Sequence, residues 1–364
     1  MSKARELAQK PNQPTGRKNL IINGAMQVAQ RGASQTGVGY NAGYFAAPDR
    51  YIFNNISQAV FDLSQAADAP DGFAYSYKLD CTTADTSLAA DHEINLSQRF
   101  EGQDFQHIKK GTSDALSMTL SFWVKSGKTG TYIVEIKDTD NTRTISKSYT
   151  VDSADTWEKK SVTFAGDTSG VLDADENLSL SVSWWVSAGS NYNSGTLETS
   201  WASQTNANRA VGQVNFADNT SNNWLLTGAQ LEVGTVATEF ESRSYGEELA
   251  LCQRYCVKLK SHRDNPRLFG RGWSSSVAQI DLSIPVLIRG ENVHYQGTGS
   301  FTKHGNVAIN AYASSANNVT AVASWIILGT QVSVTLTTSA SVSGGSTVWW
   351  TMGNDAYFLL EDEL

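Results

Sequence analysis

Apolar and polar positions alternate along much of this chain. From 116 to 125, Leu116, Met118, Leu120, Phe122 and Val124 share one register, and Ser117, Thr119, Ser121, Trp123 and Lys125 share the other. A repeat of two places successive side chains on opposite faces of a strand, so this stretch reads as a half-buried β-strand. The glycines at 127 and 130 then lead into TYIVEIKD (131–138), which completes a hairpin signal. Leu178, Leu180, Val182 and Trp184 alternate with Ser179, Ser181, Ser183 and Trp185, and NWLLTGAQLEVG (223–234) reads as a further strand. Such runs, separated by turn residues, predict an antiparallel sandwich or jelly roll. After residue 265 the same rhythm returns in VAQIDLSIPV, GNVAINAY, QVSVTLTT, STVWWTMG and AYFLLEDEL, and it predicts a second, smaller antiparallel β domain.

One segment departs from period two. In SYGEELALCQRYCVKLK (244–260), Tyr245, Leu249, Cys252, Cys256 and Leu259 are spaced four, three, four and three apart. That spacing predicts one apolar seam on a short amphipathic helix. Ser244 with Glu247 resembles a capping box, and Lys258 and Lys260 suit the negative end of the helix dipole. A seam of this length packs against the β domains or joins an oligomer that the domains also support. The predicted fold class is therefore all-β: a jelly-roll sandwich, a short amphipathic helix and a smaller β domain. The predicted boundaries are an arm over 1–17, the jelly roll over 18–242, the linker helix over 243–264 and the C-terminal domain over 265–364. Pro11 and Pro14 make the arm extended.

Composition narrows the function classes. Only 18% of the 364 residues are charged, against about 25% in ordinary soluble proteins, while aromatics reach 10%. The net charge of −8 and the lack of a basic stripe argue against nucleic acid as a partner. A polar surface of low charge suits neutral sugars or protein partners. The three cysteines, Cys81, Cys252 and Cys256, lack a disulfide framework, and no Cys or His pair stands near enough to complete a zinc site. No metal and no cofactor are expected. The first fifteen residues lack the apolar core of a signal peptide, and no run approaches the ~20 apolar residues of a membrane span, so membrane insertion is not expected. The five histidines are scattered, and Asp173, Asp175 and Glu176 cluster in a turn-like stretch rather than as a glycosidase pair, so the chain does not read as an enzyme.

Two stretches carry a resemblance. KNLIINGAMQVAQRG (18–32) with APDRYIF (47–53), and GAQLEVGTVATEFESRSYGEELALCQRYC (228–256), resemble a module of tailed-bacteriophage tail-fibre and minor virion structural proteins. The opening MSKARELA is similar to the start of such proteins. NLIINGAM, SFWVKSG, TWEKKSVTF and WLLTGAQLEVG resemble the jelly roll of carbohydrate-binding modules. The fibre resemblance implies a virion component made in the host cytoplasm, attached to other virion proteins through residues 1–17 and assembled as a homotrimer. Tyr245, Leu249, Cys252, Cys256 and Leu259 would then meet at a threefold axis. Host-surface polysaccharide is the implied target. A connector or capsid-decoration fibre is the alternative, and a polysaccharide-degrading tailspike a more distant one. The module resemblance implies a sandwich whose first and last strands pair. It also implies a structural calcium in many members, but Ala25, Met26, Gln27 and Thr227 to Gln230 stand where its carboxylates belong, so none is expected here.

The candidate glycan contacts are tryptophans. Trp123 and Trp185 fall on the polar register of their strands, so each ring is either a sugar platform or is covered by a loop, the other domain or a neighbouring subunit. Trp201 sits in a loop-like segment, as an anchor or a contact. Trp349 and Trp350 are adjacent on one strand, so their rings face opposite ways, and Tyr312, Trp325 and Tyr357 stand as companions.

Overall fold

The computed structural model describes the backbone of residues 17–260, except position 46, and the strands between 268 and 361. Side chains are described for 17–41, 43 and 47–258. The chain divides into two compact units, Met1–Ser244 and Tyr245–Leu364.

The first unit is a two-sheet antiparallel jelly roll. Six strands form the first sheet, in the order β1 (Ser34–Val38), β4 (Val60–Ala66), β5 (Ser76–Thr83), β13 (Asn223–Val233), β7 (Met118–Ser126) and β10 (Glu158–Phe164). Seven form the second: β12 (Ala202–Ser203), β9 (Arg143–Val151), β8 (Gly130–Asp138), β11 (Leu178–Ala188), β6 (Glu93–Glu101), β3 (Ile52–Ile56) and β2 (Asn41–Phe45). The apolar registers meet between the sheets. Met118, Leu120, Phe122 and Val124 of β7 share the core with Leu180, Val182 and Trp184 of β11, joined by Leu79, Leu96, Val134 and Trp224. Each fully buried side chain of this kind contributes roughly 1.5–3 kcal/mol, and Trp184 packs edge-on against Phe122 with ring centroids 5.9 Å apart. Leu116 lies before the strand begins and is exposed.

The expected pairing of first and last strands takes a different form. β1 pairs with β4, whereas β13 lies between β5 and β7. The opening segment still reaches the closing strand through single bonds: Leu20 N to Leu231 O (2.9 Å) and Ala229 N to Gly24 O (3.0 Å). Asn19 adds side-chain bonds to the Ala229 carbonyl and from the Leu231 amide. Gly24 is required there, because a Cβ would lie 2.1 Å from the Ala229 carbonyl oxygen.

In the second unit the predicted helix is half as long as its pattern. It runs Tyr245–Gln253, and Cys256–Lys260 is a strand, β14, paired with β22 (Tyr357–Glu361). The five seam residues therefore do not share one helical stripe: Tyr245, Leu249 and Cys252 are helical, and Cys256 and Leu259 lie on the strand. The physical reason is that Val257 to Lys260 also alternates with period two, and a partner strand supplies ladder bonds that local propensity does not. Tyr245 is exposed, Leu249 half-buried, and Cys252 and Cys256 buried. β17 (Ser300–His304) completes a three-stranded sheet with β14 and β22. The other six strands close a barrel in the order β15 (Leu268–Ser274), β16 (Val277–Ser283), β20 (Gln331–Thr338), β19 (Asn317–Leu328), β18 (Val307–Ala311) and β21 (Thr347–Met352). Closure removes the open edges that a sheet otherwise exposes.

Candidate functional site

The outer face of the first sheet carries an aromatic patch. Trp123 projects from β7, where it pairs with Thr227 of β13 and Lys159 of β10. Beside it β13 bulges: Trp123 opposes Thr227, yet Ser121 opposes Gln230, so one extra residue enters β13. Gly228 sits in that bulge at φ +59°, in the left-handed region that glycine tolerates best. A Cβ at this position would lie 2.7 Å from Phe73 Cζ and 3.0 Å from Trp123 Cδ1. The missing side chain thus lets two rings settle onto the backbone. Phe240 meets Phe73 edge-on at 5.0 Å. Trp123, Phe73 and Phe240 are all half-buried.

A polar group borders these rings. Asp68 accepts a hydrogen bond from Lys125 Nζ (2.7 Å) and another from Trp157 Nε1 (3.0 Å). Lys125 lies two residues along β7 from Trp123, on the same face. Burial raises the Asp68 pKa, but the hydrogen bonds from Lys125 and Trp157 outweigh it and hold the carboxyl below its ordinary value. The carboxylate is therefore charged and oriented, and about half of it stays exposed. Tyr75, whose carbonyl accepts from Thr227 Oγ1, is exposed at the margin. Ring faces beside a fixed carboxylate and an ammonium can take a ligand with C–H surfaces and hydroxyl groups.

The other predicted tryptophans are placed differently. Trp185 is fully covered, so it offers no platform to a sugar. The segment from Gly189 to Gly212 folds over it, packing Ala188, Ala210, Tyr192 and Leu197 around Trp185 and Ile133. Arg209 fastens this flap. Its guanidinium lies 5.0 Å from the Trp185 ring and 5.7 Å from Tyr192, and it bonds both carboxylate oxygens of Glu135. Burial lowers the Arg209 pKa, but Glu135 more than offsets this and raises it. Trp201 is a loop anchor: Nε1 donates to the Ala165 carbonyl (2.8 Å), and Lys110 Nζ stands 5.2 Å from the ring. Trp349 and Trp350 lie on β21, opposite Phe269 and Leu268 of β15, and their side chains lie outside the described residues, as do those of Tyr312, Trp325 and Tyr357. The acidic turn keeps a local role, with Asp175 accepting from the backbone and side chain of Asn177. Among the described residues no three His, Cys, Asp or Glu side chains converge to hold a metal.

The sequence does not single out Phe73, Phe240, Asp68 or Trp157 as contacts. Phe73 and Phe240 lie in non-periodic connections, and Trp157 just precedes β10. No local pattern marks them: Phe73 meets Trp123 only at the Gly228 bulge, Phe240 packs on Phe73, and Asp68 reaches Lys125 and Trp157 across separations of 57 and 89 residues.

No protein-family model matches the chain, and no curated protein matches it. Among solved structures, the enzymatically active domain of bacteriophage CBA120 tailspike protein 4 aligns over 59% of this chain and 21% of its own, at 12% identity and a TM-score of 0.30. The family 11 carbohydrate-binding module from Clostridium thermocellum, in complex with a β-1,3-1,4-mixed-linked tetrasaccharide, aligns over 57% of this chain and 99% of its own, at 12% identity and 0.28. The tandem CBM22 domains of Paenibacillus barcinonensis Xyn10C align over 96% and 98%, at 11% identity and 0.29. At such low scores, the functional reading rests on the residues of this chain alone.

Proposed function

We propose that this chain is a subunit of a tailed-phage virion fibre or appendage whose jelly roll recognises host-surface glycan without cleaving it. The observation that carries the glycan reading is the half-exposed Trp123 beside Phe73, bordered by an Asp68 carboxylate that Lys125 and Trp157 hold in place. Aromatic faces take the apolar side of a sugar ring, and the oriented carboxylate accepts from its hydroxyls. The fibre reading is supported by the resemblance of residues 18–32 and 228–256. In this reading residues 1–17 attach to other virion proteins, and the chain works as a homotrimer. An exposed Tyr245 and a half-buried Leu249 on the helix are available to neighbouring copies.

The test is binding of the purified full chain to cells and isolated surface polysaccharide of a susceptible host. Trp123→Ala and Trp157→Ala are expected to weaken binding at least ~10-fold, about 1.4 kcal/mol, with melting unchanged within a few degrees. Undiminished binding by both variants would reject this patch. Absence of binding by the parent chain would favour a connector or decoration fibre. Light-scattering mass in solution tests the trimer, and a monomer unaffected by Leu249→Asp would remove it.

A further inference from the structure

The outer face of the second sheet carries a separate group of charges that the glycan patch does not use. Lys137 on β8 and Arg99 on β6 both pair with Ser181 of β11, so the two cations flank one serine across three neighbouring strands. At a strand spacing of ~4.8 Å their Cα atoms lie about 10 Å apart. Both side chains leave the sheet on the side away from the core, because Ile136, Phe100, Leu180 and Val182 fill the inner register. One step along the strands lie Glu135, Ser183 and Ser97, and beyond them Trp185 and Asn95. Ser97, Ser183 and Asn95 are small polar side chains of low exposure, set between longer neighbours.

The groups acting on Lys137 are Arg209, Glu135, Glu93 and Arg99. Arg209 and Arg99 repel the Lys137 ammonium, while Glu135 and Glu93 attract it. The two acids are already engaged. Glu135 holds Arg209 through both oxygens, and Glu93 accepts from Asn54 Nδ2 at 2.7 Å. Among the described residues the Lys137 ammonium makes no hydrogen bond or ion pair; its charged neighbours act on it only across space. It is nonetheless half-buried, and burial first, then Arg209, push its pKa below the ordinary value. A half-buried cation without a counter-ion destabilises the fold that holds it. An arriving anion would relieve both the burial and the repulsion.

We propose that the row Lys137–Ser181–Arg99 is a second binding site, which takes the carboxylate of an acidic sugar in a polysaccharide. The floor of Ser97, Ser181, Ser183 and Asn95 offers hydroxyl and amide groups to the sugar hydroxyls around that carboxylate. A densely charged polyanion such as nucleic acid fits poorly, since two cations cannot offset its charge and the acidic remainder of the chain repels it. The site is on the opposite sheet from Trp123, so it stands or falls independently of the aromatic patch.

The experiment uses the full chain and oligogalacturonate as the probe, its methyl ester as the uncharged control, and inorganic phosphate as competitor. Titration calorimetry at low and at physiological salt gives the affinities. The parent chain is expected to bind the acid form at least 10-fold more tightly than the ester, and more weakly as salt rises. Lys137→Met is expected to remove that preference, Arg99→Gln to reduce it, and Trp123→Ala to leave it intact. Lys137→Met is also expected to melt at the same temperature as the parent or higher, because it relieves a buried charge. Equal affinity for acid and ester, or an unchanged preference in Lys137→Met, would overturn the proposal. So would a clear fall in the melting temperature of Lys137→Met, which would mark the lysine as structural. Displacement by phosphate at concentrations comparable with the oligosaccharide would show a site for small anions and would equally overturn it.

Discussion

Glu241 joins the two ends of the jelly roll, and replacing it with glutamine isolates the value of that junction. One carboxylate oxygen accepts from the Lys18 amide (3.0 Å), the other from the Asn19 amide (2.8 Å) and from Arg243 Nη2 (2.9 Å). Arg243 in turn donates to the Asn19 and Ile21 carbonyls. Glu241→Gln keeps the shape but removes the charge, and it turns one acceptor into a donor that faces a backbone N–H. Hydrogen bonds to charged groups contribute ~1.5–3 kcal/mol each, and an orphaned donor costs a similar amount. Because the Glu241 side chain keeps about a quarter of its surface in water, the lower end applies, and the expected loss is ~2 kcal/mol. For a unit of this size that lowers the melting temperature by about 4–8 °C at pH 7. Burial raises the Glu241 pKa, but the bonds from Asn19, Lys18 and Arg243 outweigh it and hold the group below its ordinary 4.5. Its stabilisation is therefore complete above pH 4.5 and fades as pH falls through the lowered value. Melting curves of both proteins from pH 7 downward should show a constant gap that closes only in acid. A gap under about 1 °C at pH 7, or one that persists in acid, would refute the clamp.

Four further outcomes follow from packed contacts. Lys110 Nζ is held by Asp138 (2.5 Å), Asp167 (3.0 Å) and two backbone carbonyls, so Lys110→Met leaves Asp138 without its cation and should cost ~3–5 kcal/mol in urea unfolding. Asp167 keeps Arg143 on both oxygens, so Asp167→Asn combined with Lys110→Met should add less than the sum of the two single changes. Arg209→Leu strips the partner from buried Glu135, and should both destabilise the jelly roll by ~3 kcal/mol or more and open residues 190–208 to limited proteolysis. Gly228→Ala forces a Cβ into Phe73 at positive φ; it should cost ~1–3 kcal/mol of stability, measured by calorimetry, and weaken the glycan binding proposed for the patch.

The same physical distinction separates what was legible from what was not. Alternation alone places Leu120, Phe122, Val182 and Trp184 in the core, and they are buried. The identical alternation put Trp123 and Trp185 on the outer faces, but could not say that one would remain half-exposed and the other vanish beneath the 189–212 flap. The helical spacing of Tyr245 to Leu259 runs past the end of the helix, where Val257 to Lys260 satisfies a repeat of two as well. Periodicity states which face a residue occupies within an element; it does not state which element wins when two patterns overlap.

By itself, then, the order of residues determined the class of fold, the inner register of the main strands and a surface low in charge, since each depends on neighbours two to four positions apart. Tertiary structure decided the aromatic patch, the flap, the Glu241 junction and the uncompensated Lys137. Their members lie tens to hundreds of residues apart, as with Lys18 and Glu241 at a separation of 223. Contacts at that range arise only once strand order, one bulge at Gly228 and the loop crossings are fixed, and no local repeat encodes them.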